Sequence, residues 1–96
     1  MAKKEISQIT FQERRKIVDC LLKQRNSCEN FIGKMERLRS SALGGLSFYR
    51  VDPNGREPAS FDVVSLRCQY HNSQLAINRN KKRLAGIENE IVQYIF

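Results

Sequence analysis

An all-α fold, an antiparallel two-helix coiled-coil hairpin, is predicted by three features of this 96-residue chain. Two long amphipathic stripes flank a turn-rich centre, both follow the same alternating spacing, and their polar defects come level when the chain folds back on itself. In the first stripe Ile17, Leu21, Gln24, Cys28, Phe31, Met35, Leu38 and Ala42 recur at alternating fours and threes, the seam of a coiled coil. The second holds Val63, Leu66, Tyr70, Ser73, Ile77, Asn80, Leu84, Ile87, Ile91 and Tyr94 at the same spacings. One antiparallel register sets Ala42 against Val63, Met35 against Tyr70, Cys28 against Ile77 and Leu21 against Leu84. It also sets Leu38 against Leu66, Phe31 against Ser73, Gln24 against Asn80 and Ile17 against Ile87. Gln24 and Asn80 then form a register pair: each can satisfy the other, whereas an unpaired buried amide facing leucine costs roughly 1–3 kcal/mol.

Taken in order, residues 1–9 form a polar, flexible lead. Thr10-Phe11-Gln12-Glu13 fits a capping box, so the first helix is expected over 10–43, with Gly44-Gly45 as its stop. A tip loop spans 44–59. Its core, Asp52-Pro53-Asn54-Gly55, is a strong turn signal, because proline presets φ at the second position and glycine follows at the last. Strand-like residues precede the turn, so a short β-hairpin-like tip is expected, presenting Phe48, Tyr49, Arg50, Asn54 and Arg56. Ser60 starts the second helix, expected over 60–95, with Asp62 in its first turn complementing the helix dipole. The whole chain, 1–96, reads as a single domain.

Two helices of about 33 residues are each roughly 50 Å long, and a lone pair of that length buries only a narrow seam. Val18, Leu22, Ile32, Leu75 and Val92 lie off it and need cover. The expectation is a homo-oligomer, a dimer forming a four-helix bundle through these residues.

Lys and Arg number 17 against ten Asp and Glu, a formal charge of +7 and a pI near 9.7. In the register above, Arg25 lies beside Lys81 and Arg39 beside Arg67, where such coils normally place opposite charges. Arg79, Lys82 and Arg83 add charge at the same height and make the waist a candidate edge for an anionic partner. Three readings fit it: cover by Glu29, Glu36 and Glu88 of a second copy, a grip on nucleic-acid phosphates, or an ordinary solvated face.

Catalytic signatures are missing from the sequence: no glycine-rich phosphate loop, nucleophile elbow or HExxH pattern occurs. The single histidine forms Cys68-x-x-His71, two ligands short of a zinc site, and no metal or cofactor is expected. Cys20 and Cys28 are about 12 Å apart along one helix, too far for a disulfide, so free thiols in the cytoplasm are expected. No apolar run is long enough for a membrane span. The layout of helix, turned tip and helix is similar in outline to prefoldin-type chaperone subunits and to the coiled-coil fingers of some transcription factors; no site is carried over from that likeness. The function expected is that of a non-enzymatic adaptor, chaperone-like or regulatory protein that binds a protein partner through its helix faces or tip. The alternative is a nucleic-acid-binding helical dimer using the basic waist.

Overall fold

The computed structural model describes residues 9–56 and 59–95. Two helices, α1 (Phe11–Phe48) and α2 (Phe61–Ile95), pack against each other as an antiparallel hairpin. The molecule measures 61 × 21 × 19 Å, with a Cα radius of gyration of 19.9 Å; a globule of this length would have about 12.5 Å. Of the expected flexible lead, all but Ile9 lies outside the described residues, as do Glu57 and Pro58 of the tip. No strand occurs among the described residues, so the β-hairpin expected at the tip is replaced by a helix end and a turn.

Both helix starts follow from their caps. The Thr10 hydroxyl accepts from the Glu13 amide at 3.2 Å, and the Ser60 hydroxyl from the Val63 amide at 3.4 Å, each satisfying a backbone donor with no intrahelical partner.

The end of α1 departs from expectation. The helix does not stop at Leu43 but continues through Gly44-Gly45 to Phe48. Ala42 and Leu46 are fully buried, and that packing carries the helix across two poor helix formers. Gly45 serves as a point of close approach, since a Cβ there would lie 2.9 Å from a Leu66 methyl. The stop comes at Arg50, in left-handed geometry with φ 56°. The Arg50 amide donates to the Ser47 carbonyl at 3.1 Å and the Val51 amide to that of Leu46 at 3.2 Å, the double closure of a Schellman motif built without glycine.

The buried face of α1 is also rotated from the expected one. Every member of the expected α2 stripe is buried or half-buried. On α1, Leu21, Cys28, Met35 and Ala42 face inward, but the line of Gln24, Phe31 and Leu38 turns out. Arg25, Ile32, Arg39 and Leu46 replace it: Ile32 is 7% exposed where Phe31 is 41%. Running the helix to Phe48 adds Leu46 to the second line and only Gly45 to the first. The two arginines on that line are half-buried, Arg39 donating across the seam to the Gln74 side-chain oxygen at 2.8 Å.

The register also moves: Leu66, expected against Leu38, lies against Gly45. Cys28 shares the core cluster with Ile77, and its thiol donates to the Asn80 carbonyl oxygen at 3.2 Å. The Leu38 carbonyl accepts from Gln69 at 2.9 Å in place of facing Leu66. The core cluster comprises Leu21, Cys28, Ile32, Ile77, Ile87 and Ile91, flanked by Ile17, Leu22, Met35, Leu84 and Tyr94.

Candidate functional site

Three surface features follow from this geometry. At the waist, the shifted register brings small and polar residues to one height, and the helices leave an open groove of about 530 Å³. Cys20, Lys23, Gln24, Ser27, Cys28 and Phe31 of α1 line it, with Asn80 and Arg83 of α2. Gln24 and Asn80 share this groove but do not form the expected amide pair. Gln24 turns back toward the Cys20 sulfur, 3.7 Å from its Nε2, while Asn80 donates to the Ala76 carbonyl at 2.8 Å within its own helix. The Asn80 side-chain oxygen lies 3.9 Å from the Cys28 thiol across the seam, and neither amide reaches the other.

The expected basic edge is dispersed. Arg39 and Arg67 are not held side by side: Arg39 reaches Gln74, and the buried Arg67 donates its Nε to the Asp52 carbonyl at the tip, 3.0 Å away. Arg25 lies 4.0 Å from Glu29 one turn along its own helix. Arg79, Lys81, Lys82 and Arg83 are exposed and make no ion pair among the described residues.

At the tip, the expected turn is present. The Gly55 amide donates to the Asp52 carbonyl at 3.1 Å, and the Asp52 carboxylate accepts from the Asn54 amide at 2.8 Å. This turn is strapped down on α2. Besides Arg67, His71 Nε2 lies 3.1 Å from the Pro53 carbonyl, which can only accept, so the ring donates through Nε2–H. Phe48, Tyr49, Arg50, Asn54 and Arg56 are all exposed. Tyr49 packs edge-on against Phe48 at 5.4 Å, and its hydroxyl donates to the Asp62 carboxylate at 3.4 Å. Phe61 stands at the same end of the rod; it is 84% exposed and Phe48 82%. Phe61 belongs to neither apolar stripe, and its place immediately after the cap of α2 keeps it outside the seam.

At the opposite end, Phe11, Arg14, Arg15, Val18, Tyr94 and Ile95 line a cleft where the first turn of α1 meets the last of α2. Of the residues expected to form an oligomer interface, Leu75 and Val92 are exposed, Val18 and Leu22 half-buried. Ile32 belongs to the hairpin's own core and drops out of that set, because the rotation of α1 turned it inward.

Cys20, Cys28 and Cys68 are free thiols. Among the described residues no cluster of three or more metal-ligating side chains occurs, and no helix is long and apolar enough to cross a membrane. In comparisons with known proteins, the chain matched no family model, no curated protein and no solved structure.

Proposed function

We propose that this chain is a non-catalytic adaptor or chaperone-like protein that docks a protein partner through its tip. The carrying observation is the pair of protruding phenylalanines, Phe48 and Phe61, at one end of a rigid rod, beside Tyr49, Arg50 and Arg56. Aromatic and arginine side chains dominate the energetics of protein interfaces, and exposed phenylalanines gain most when a partner's pocket takes them out of water. The strapped turn supports this reading, because a tip held by Arg67 and His71 loses little conformational freedom on binding.

Self-association into a four-helix dimer accompanies the proposal. The accessible surface is 7540 Å², whereas a compact monomer of this mass exposes about 5,700 Å². The excess exceeds the roughly 800 Å² per partner of a standard interface. Leu38, turned out of the seam, joins Leu75 and Val92 as the apolar residues a second copy would cover.

Phe48→Ser with Phe61→Ser tests the docking. Partners captured by the native chain are identified by mass spectrometry, purified and titrated against the variant. Loss of at least about tenfold in affinity is expected, since removing an anchoring aromatic removes a hot spot; unchanged affinity refutes a tip interface. Leu75→Asp with Val92→Asp is expected to lower the mass in light scattering while helicity is retained.

A second reading, a nucleic-acid-binding dimer, is favoured by Arg79, Lys81, Lys82 and Arg83, four exposed cations within five positions and without acidic partners among the described residues. It requires affinity that falls by about 0.9 log units per phosphate contact for each log unit of salt on duplex DNA. Binding that ignores salt, or survives conversion of the four to Gln, removes it.

A further inference from the structure

The waist groove carries a second assignment, independent of the tip. Lys23 and Arg83 stand on opposite helices at its rim, and neither makes an ion pair or hydrogen bond among the described residues. No Asp or Glu lines the groove. Its walls supply a half-exposed aromatic ring, Phe31, and two cysteines, of which Cys28 is buried. The amides that the register was expected to lock across this space are turned onto their own helices, which leaves the volume accessible. At about 530 Å³ it falls within the size range of small-molecule sites, which pair apolar walls with a few fixed polar groups. Two cations at the rim of an open slot favour a negatively charged occupant, and the ring and sulfur lining favours a hydrocarbon body attached to it.

We propose that this groove binds a small amphipathic acid, its acidic head between Lys23 and Arg83 and its hydrocarbon body against Phe31, Cys20 and Cys28. Decanoate serves as the probe, titrated calorimetrically into the full chain below its micelle concentration. One saturable site per chain is expected. Lys23→Gln with Arg83→Gln should weaken it at least about tenfold, the loss that follows from removing charge-assisted hydrogen bonds. Lys34→Gln with Lys82→Gln, which removes equal charge away from the groove, should leave it within about twofold. Decyltrimethylammonium, with the same tail and the opposite head, should show no saturable site. Ser27→Phe, which occupies the groove, should abolish decanoate binding, with circular dichroism confirming that the helices persist.

The assignment is overturned if decanoate fails to saturate, if the cationic amphiphile binds equally well, or if both pairs of charge substitutions weaken binding alike. Tighter binding of a short acidic peptide than of decanoate would also overturn it, by giving the groove to a macromolecular partner.

Discussion

The guanidinium of Arg67 spans from α2 to the tip, where its Nε donates to the backbone carbonyl of Asp52 at 3.0 Å. Arg67 is buried, and Asp52 opens the turn that reverses the chain, so a side chain from the second helix holds the link between the two. Arg67→Met should cost about 1–3 kcal/mol in urea unfolding, the range for losing a buried hydrogen bond with a charged donor. Arg67→Lys should rescue only part of this, because the ammonium lacks the guanidinium's fixed fork. A loss below about 0.5 kcal/mol for both, the scale of ordinary surface changes, would show that the strap is dispensable.

Leu46 reports whether α1 continues past its glycines. As a fully buried residue of the helix, Leu46→Ala should destabilise by about 2–5 kcal/mol, whereas Leu43→Ala, at a more exposed position, should cost less than about 1 kcal/mol. The opposite order would restore a helix ending at Leu43.

The two adjacent glycines should respond differently to alanine. Nothing lies within 4 Å of a Cβ placed on Gly44, so Gly44→Ala should stabilise by about 1 kcal/mol through helix propensity alone. Gly45→Ala gains the same propensity but drives a methyl to 2.9 Å from Leu66 Cδ1, and its net effect should be smaller or negative. Equal thermal shifts for the two would remove the close approach at Gly45.

Thiol reactivity reads the packing at the waist. Cys20 and Cys68 are exposed and should react promptly with an aromatic disulfide reagent in the native state. Cys28, buried with its thiol on the Asn80 carbonyl, should react at least about tenfold more slowly, because modification requires local opening. Three thiols reacting at one rate would mean that Cys28 is not shielded by the groove floor.

How much of this was legible in the sequence depends on which force decided each feature. Helix starts at Thr10 and Ser60, the turn at Asp52-Pro53-Asn54-Gly55 and the α2 stripe were readable, because caps, turn chemistry and periodicity are local signals. The end of α1 was not. Gly44-Gly45 is a stop by propensity, and only the burial of Leu46 against the facing helix overrides it. The inward face depends on the same residue: Phe31 and Leu38 form the more apolar line by composition, and Leu46 lies on the line of Ile32 and Arg39. Gln24 and Asn80 come level in the expected register, whereas each amide nitrogen finds a partner on its own helix. For the same reason the groove was invisible: it is the space left where that pair was expected.

The rod's proportions, 61 Å against 21 and 19 Å, carry a hydrodynamic signature. A body about three times longer than it is wide drags more solvent than a sphere of equal mass. A single hairpin should therefore diffuse slowly and leave a sizing column early, at the elution volume of a heavier globule, and a side-by-side pair would widen the particle with little gain in length. Counting chains in this protein is accordingly a matter of absolute mass, and the ratio of that mass to the diffusion coefficient distinguishes one slender hairpin from a stouter bundle.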